Sequence, residues 1–430
     1  MQTSLLGIAK KAKSDKRYRF RNLYRELNEE LLRDCWRLLR KDAALGVDQV
    51  SAKEYEANLE ENIHQLVERL KRKRYRARLV RRHYIPKDEG RMRPLGIPAT
   101  EDKLLQLAVK RLLEAIYEQD FLSCSYGYRP RVGALEAVDQ LTVLLQFGGY
   151  HHVVEADIKG FFDNLSHEWL MRMLAERIDD QSILRLIKKW LKAGVLDTDG
   201  KVLRPESGTP QGGIISPLLA NVYLHYALDL WFERVFQRSC KGGAFLHRYA
   251  DDFVCGFGRE EEAQRFYSEL EERLRKFGLE LAAEKTRVIP FSRYRRGETS
   301  FDFLGFEFRW GSDRKGQARL QRCTARKKFR SSVKRVAEWC KKNRHRRVGE
   351  QFTLLNAKLR GYYNYYGVRG NYASLDQFFY RVKRLHLKWL NRRSQRPSYT
   401  WAGYSELTQS FALTRPHIVG RPKSCLTVSR

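Results

Sequence analysis

Two apolar runs, Phe245–Tyr249 and Phe253–Phe257, flank the short acidic step Ala250-Asp251-Asp252. Runs this short and this rich in aromatic and β-branched residues read as buried strands. The step between them is short enough for a hairpin turn. A chain that places two adjacent carboxylates at the tip of a buried hairpin must offset the cost of holding charge beside a core. It does so by pairing them or by binding a cation. Upstream, His152–Ala156 reads as another buried strand, and it delivers a third carboxylate, Asp157.

The pattern around these strands is mixed. Helical spacing is seen in 21–75, with Leu31, Leu32, Trp36, Leu38 and Leu39 on one face and Ile63, Leu66, Val67 and Leu70 on another. Tyr84–Pro86 and Met92–Ile97 predict a hairpin turning at Asp88-Glu89-Gly90. A helix is expected from Thr100 as N-cap through Ile116, and others over 133–145, 167–178, 181–193 and 260–277. Gly208-Thr209-Pro210-Gln211-Gly212-Gly213 must be a loop, after which Ser216 and Pro217 are expected to cap and open a long helix. Val288–Phe291 and Phe301–Phe308 read as strands, and from about 323 to 393 the pattern is helical and basic. The fold class expected is α+β, with an all-helical appendage. The tail 396–430 has little periodicity, and there is no internal repeat.

Charge is distributed unevenly. The net charge is +32 in 430 residues, made up of +11 over 1–100, −2 over 101–300 and +23 over 301–430. A near-neutral centre between two basic flanks suits a polyanion, and nucleic acid is the first candidate. Lys71–Arg82 alone holds eight basic residues in twelve. No apolar run is long enough for a membrane span, no amphipathic anchor stands out, and no membrane partner is expected. No targeting segment is recognised at Met1–Gly7, so a cytoplasmic protein is expected. The seven cysteines are scattered and never spaced as C-x-x-C, which argues against a disulfide framework or a zinc site.

Asp157, Asp251 and Asp252 are the candidate catalytic and metal-binding residues. Acidic oxygens without neighbouring thiols or imidazoles suit a hard cation such as Mg²⁺, with Mn²⁺ as a substitute. Two such ions about 4 Å apart can activate a 3′-hydroxyl and stabilise a pyrophosphate leaving group. An isolated Asp-Asp pair is equally at home in an ordinary turn.

The order of motifs decides between these readings. Tyr249-Ala250-Asp251-Asp252, preceded by Asp157 and the Gly208–Gly213 loop, resembles the palm of the reverse transcriptase family. Ile85-Pro86-Lys87 with Gly90-Arg91-Met92-Arg93-Pro94-Leu95-Gly96-Ile97-Pro98, Ser125-Tyr126-Gly127-Tyr128-Arg129-Pro130 and Asp157-Ile158-Lys159-Gly160-Phe161-Phe162-Asp163-Asn164 are similar to successive motifs of the group II intron-encoded branch. So are Gly208–Pro217, Glu284-Lys285-Thr286, Phe303-Leu304-Gly305-Phe306 and Leu359–Tyr366. The resemblance covers residues 20–395 and is to the shorter, endonuclease-free class.

It implies a right-hand polymerase: an N-terminal helical extension (1–75), fingers (76–156), palm (157–312), a helical thumb or X domain (313–395) and a basic tail (396–430). Lys87, Arg91 and Arg93 would close over the triphosphate, and Phe162 would exclude a 2′-hydroxyl, with Phe161 as its rival. Gln211 would lie near sugar or template, and Lys285 would contact pyrophosphate or donate a proton. Gly212, Gly213, Leu304, Gly305, Arg326, Lys327, Lys328, Arg344, Arg346, Arg347, Tyr362 and Tyr365 would meet nucleic acid. The implied partners are an RNA template, a DNA primer, deoxynucleoside triphosphates, a group II intron RNA and a DNA target site. An RNA-copying RNA polymerase, a splicing cofactor without polymerase activity and a domesticated enzyme of phage defence or DNA repair are the alternatives. The first would usually carry glycine in place of the Tyr-x step and no bulky ring at position 162.

Overall fold

The computed structural model describes residues 2–86, 92–394 and 398–419. The chain divides into two compact units, residues 1–137 with 152–288 and residues 138–151 with 289–430.

The strands, in chain order, are β1 (Val80–Pro86), β2 (Met92–Ile97), β3 (His152–Ala156), β4 (Val195–Leu196), β5 (Val202–Leu203), β6 (Ala244–Tyr249), β7 (Asp252–Phe257), β8 (Arg287–Pro290), β9 (Ser300–Phe303), β10 (Phe306–Ser312) and β11 (Ala318–Thr324). They form three sheets, ordered β2-β1-β4-β5, β6-β7-β3-β8 and β11-β10-β9.

The first unit is organised around the helix Thr100–Tyr117, whose Leu104, Leu105, Ala108, Val109, Leu112, Leu113 and Ile116 are buried. The helices Gln2–Ser14 and Glu29–Leu38 pack on it. The expected caps are arranged differently. Thr100 lies inside the helix and its hydroxyl donates to Val50 O (2.7 Å). Ser216 likewise lies inside its helix, donating to Pro210 O (3.0 Å) and accepting from Thr209 Oγ1 (2.7 Å). Both hydroxyls tie a neighbouring loop down instead of capping their own helix. The helix begun at Ser216 continues through two π-helical stretches, His225–Asp229 and Phe232–Phe236.

In the second unit the run Phe301–Phe308 is two strands instead of one. Phe303 and Phe306 pair across a two-residue turn in which Leu304 has φ 49° and Gly305 φ 81°. Positive φ at both central positions is the geometry of a type I′ hairpin. Strand β11 occupies the start of the block expected to be helical, because Phe306–Ser312 pairs with Ala318–Thr324 along its whole length. Helices Arg326–Asn343, Val348–Tyr366 and Tyr372–Leu390 follow, then a helix at Trp401–Ser410 that the tail's weak periodicity did not announce. After it, Asn356 donates Nδ2 to Ala412 O (2.8 Å) and accepts at Oδ1 from Thr414 N (2.7 Å), fastening the chain along the second thumb helix. Among the described residues no helix is long and apolar enough to cross a membrane.

Arg177 is 3% exposed and donates to Asp120 Oδ2 (2.8 Å) and to the carbonyls of Ala12 (3.1 Å), Asp15 (3.0 Å) and Tyr18 (2.9 Å). It therefore closes the C-terminal end of the first helix, where carbonyls lack intrahelical partners. Arg177→Met should take the guanidinium from those carbonyls and leave Asp120 with only the exposed Lys16 (3.3 Å), at a cost of about 3 kcal/mol. Hydrogen exchange should show residues 4–20 losing protection while 100–117 keeps it. Unchanged protection in 4–20 would refute the assignment.

Candidate active site

Strand β6 ends at Tyr249 and β7 begins at Asp252, its register partner, so Ala250 and Asp251 are the two turn residues. Strand β3 runs antiparallel to β7, with Ala156 opposite Phe253 as the last pair. One step further along both strands lie Asp157 and Asp252. Sheet register alone thus brings the carboxylates of 157, 251 and 252 to one edge of the sheet.

The turn is strained. Ala250 has φ 58°, a region that costs a non-glycine residue roughly 1–2 kcal/mol. Its surroundings impose that conformation. Arg248, wholly buried, donates Nη1 to Ala250 O (2.9 Å). The same guanidinium forks onto Asp229, Nε to Oδ1 (2.8 Å) and Nη2 to Oδ2 (2.6 Å), and reaches Asn221 Oδ1 (3.1 Å) and Ser125 Oγ (2.7 Å). Asn221 Nδ2 in turn donates to Gly127 O (2.6 Å). Gly127 must be glycine, since a Cβ there would run into the backbone nitrogen of Ala250.

The carboxylates are crowded. Burial, then the charges of Asp251 and Asp157, raise the Asp252 carboxyl to about 7, with Lys285 opposing. Lys285 Nζ is hydrogen-bonded to Asp157 Oδ2, and that bond raises its ammonium above the ordinary value. The turn carrying Lys285 is built on the same strand end, with Ala282 N donating to Asp157 O (2.9 Å). Among the described residues no three His, Cys, Asp or Glu side chains are arranged as a metal cage. Crowded acidic oxygens, with no sulfur or imidazole among them, nonetheless fit a hard divalent cation, and a lysine already supplies part of the missing positive charge.

Phe161 is 2% exposed and belongs to the core, whereas Phe162 is half-buried at the site. The Gly208–Gly213 loop lies directly on this segment. Thr209 N donates to Phe162 O (2.8 Å) and Gly208 N to Leu165 O (2.7 Å). The loop also binds the fingers sheet, where Gly96 N donates to Gln211 O (2.6 Å), and Gln106 Oε1 accepts from Ile214 N (3.0 Å). Gly212 has φ 114°, and a Cβ on it would stand 2.8 Å from Gly96 O. The visible reason for glycine at 212 is therefore this contact with β2. Arg93 lies on β2 opposite Ile85, with its side chain exposed. Lys87 and Arg91 fall outside the described residues.

The expected RNA contacts of the second unit divide. Tyr362 is a correction. It stacks on Phe378 at 3.7 Å and 13° in the helical core, where no base can reach its face. Tyr365 donates its hydroxyl to Leu304 O (2.8 Å) and stacks on Phe306, so it braces the hairpin turn. Leu304 and Gly305 are that turn. Arg326 pairs with Glu307 (3.8 Å) and Arg346 with Glu350. Arg344 Nη1 donates to Lys341 O (3.0 Å), while Lys327, Lys328 and Arg347 are exposed. Gln351 Nε2 donates to the carbonyls of Arg344 (3.2 Å) and Arg346 (2.9 Å), fixing the turn that carries these cations.

Sequence reasoning missed Arg248, Asp229, Asn221, Ser125, Gly127 and Tyr128 as parts of the site. Signals existed: Ser125, Gly127 and Tyr128 lie in a motif already singled out but given no role, Arg248 is a cation inside an apolar strand and Asp229 an anion inside an apolar helix.

The model of the reverse transcriptase (RNA-dependent DNA polymerase) family matches residues 85–308. The chain belongs to that family, whose members use divalent metal ions. It is 31% identical to the group II intron-encoded protein LtrA of Lactococcus lactis, over 76% of this chain and 67% of that protein. It is 35% identical to protein YkfC of Escherichia coli, over 49% of this chain and 62% of that one. With the COX1/OXI3 intron 1 protein of Saccharomyces cerevisiae it shares 26% identity, over 69% of this chain and 44% of that protein. These relatives make it a reverse transcriptase of the group II intron-encoded kind.

Two predictions follow from the geometry. Asp252 has a folded-state value above its unfolded one, so it disfavours folding increasingly as pH rises from about 4 to about 7. With a chelator present, Asp252→Asn should raise the melting temperature by about 2 °C at pH 8, a size reduced by the residue's exposure to water. The gain should shrink toward pH 4, and a gain independent of pH would contradict the crowding. The other concerns the buried pair. Arg248→Met should cost about 3–5 kcal/mol by leaving Asp229 charged and alone. Adding Asp229→Leu should restore most of that stability in denaturant titrations. Single-turnover extension should remain at least about tenfold slow in the double variant, because Ala250 O still lacks its donor. Full recovery of rate would make the pair merely structural.

Proposed function

We propose that this chain extends a DNA primer on an RNA template with deoxynucleoside triphosphates, using two Mg²⁺ ions, and that the RNA it serves is a group II intron. The observation that supports this most is the meeting of Asp157, Asp251 and Asp252 on one sheet edge, beside a half-buried Phe162. Magnesium bound to these oxygens would activate the primer 3′-hydroxyl and neutralise charge on the departing pyrophosphate. In this reading Asp157 and Asp251 hold both ions, and Asp252 orients them. Lys285, leaving Asp157, offers an ammonium to the pyrophosphate. Arg93, joined by Lys87 and Arg91, grips the triphosphate. Phe162 lies under the sugar and excludes a 2′-hydroxyl. Gln211, carried by the loop tied to Gly96, contacts the sugar or template. Arg326, Lys327, Lys328, Arg344, Arg346 and Arg347 meet RNA phosphates. The net charge of +23 over 301–430 exceeds what a short template–primer duplex requires, which supports a second role in holding intron RNA for splicing and presenting it at a DNA target site.

Asp251→Asn should abolish primer extension on an RNA template in Mg²⁺ while RNA affinity stays within about twofold of wild type. That affinity should fall with salt at a log–log slope near −0.7 per phosphate neutralised. The same variant should still promote splicing of the cognate intron at low Mg²⁺, because splicing chemistry resides in the RNA. Appreciable extension by the variant would refute the polymerase site, and failure of the wild type to promote splicing would refute the second role.

A further inference from the structure

Tyr128 stands out as an aromatic residue held in a conformation that aromatic residues avoid. Its φ is 59°, and such strain in a non-glycine residue persists only where the surroundings over-determine it. Here they do so from both sides. On the N-terminal side, Tyr126 N donates to Arg248 O (2.9 Å), Arg248 N donates to Cys124 O (2.8 Å), and Asn221 holds Gly127 O. On the C-terminal side, Arg129 is fixed by Glu118 Oε2 (3.1 Å) and by the carbonyls of Leu122 (3.0 Å) and Ser125 (2.7 Å). The residue so constrained does not go into the core. Tyr128 is 46% exposed, and its hydroxyl has no hydrogen-bond partner among the described residues.

Its ring stands edge-on to Phe162, with centroids 6.3 Å apart and planes at 77°. Phe162 also meets Phe161 at 5.5 Å and 65°, and Phe161 is locked in the core. Phe162 therefore has one immovable neighbour and one exposed neighbour. Burial and then the Asp251 carboxylate push the Tyr128 phenol above its ordinary value, and Arg93 pulls it down, so the ring stands among the groups that would hold ions and triphosphate.

We propose that Tyr128 is a positioning residue for sugar selection: its ring, set by the strained 127–129 segment, fixes Phe162 at the angle that excludes a 2′-hydroxyl. This rests on the polymerase reading above and on the role given there to Phe162. An edge-to-face partner removes the rotation by which an isolated Phe162 could swing away from a bulkier sugar. The hydroxyl is not required for this, only the ring.

The test measures single-nucleotide incorporation on an RNA template, with the ratio of specificity constants for a deoxynucleotide and its ribonucleotide as the readout. Tyr128→Gly removes the ring at a position whose backbone favours glycine, so the fold should tolerate it. It should lower discrimination about tenfold, the scale of one lost contact in a packed pocket. Tyr128→Phe should stay within about twofold of wild type. Phe162→Ala should lower discrimination further, and adding Tyr128→Gly to it should change nothing more, as expected when one residue acts through the other. An unchanged ratio in Tyr128→Gly, alongside a lowered one in Phe162→Ala, would overturn the inference and leave the reading of Phe162 intact. Additive effects would overturn it too, by showing that Tyr128 meets the nucleotide directly. Loss of discrimination in Tyr128→Phe would assign the role to the hydroxyl and reject the ring. If Phe162→Ala itself had no effect, the sugar-pocket reading would fail first and this inference with it.

Discussion

A single buried guanidinium holds the site together. Arg248 and Asp229 are both wholly inaccessible to solvent, and each would be costly to bury alone. Together they exchange two near-parallel hydrogen bonds, and the remaining Arg248 donors go to Asn221, Ser125 and Ala250. Such a pair adds little net stability over a well-packed apolar replacement, so its use lies in what it fixes. It fixes three separate pieces of chain at once: the helix bearing Asn221 and Asp229, the 124–127 segment, and the hairpin of Asp251. Satisfying the arginine requires all three to be in place, which makes the geometry of the carboxylate hairpin a condition of burying the charge. The strain at Ala250 is tolerated for the same reason.

Much of this was legible in the sequence where the signal is local. The strands around Asp251-Asp252, the strand before Asp157 and the fingers hairpin all have short apolar runs bounded by turn residues, and each is found near its expected place. Phe161 is in the core and Phe162 is half-buried, a division of which adjacent aromatics carry no local sign. What was not legible depends on contacts between distant residues. Ser216 and Thr100 have the composition of helix caps, yet each spends its hydroxyl on a neighbouring loop. Tyr362 and Tyr365 look alike within a run of tyrosines. Only the packing of Phe378 and of the Leu304 turn separates them, one in the core and one bracing a hairpin.

The domain picture changes for a related reason. The N-terminal helices, expected as an extension, share one core with the Thr100–Tyr117 helix and the palm strands. Arg177 makes the connection polar as well as apolar, since it joins Asp120 to three carbonyls at the end of the first helix. Strands β9 and β10, expected to close the palm, group instead with β11 and the basic helices. Asn371 explains part of that grouping: its side chain accepts from Thr324 N (2.9 Å) and donates to Thr324 Oγ1 (2.9 Å) and Tyr366 O (2.8 Å), so the strand end is tied to the helices that follow.

The loop 208–213 shows how the fingers strand and the segment carrying Phe162 come to share one geometry. Its backbone bonds to Phe162 O on one side and, through Gln211 O, to Gly96 N on the other. Side chains cannot mediate either bond, because the loop is too close: Gly212 already leaves no room for a Cβ against Gly96. A shift of β2, which carries Arg93, is therefore transmitted through main-chain hydrogen bonds to the segment holding Phe162, with little slack between them. Arg93 on β2 and the Phe162 ring are thus mechanically one assembly, while the carboxylates are held by a different one, the Arg248 network. Asp163 and Gly208 belong to the first, Ala250 and Gly127 to the second, and the two meet where Tyr128 leans on Phe162.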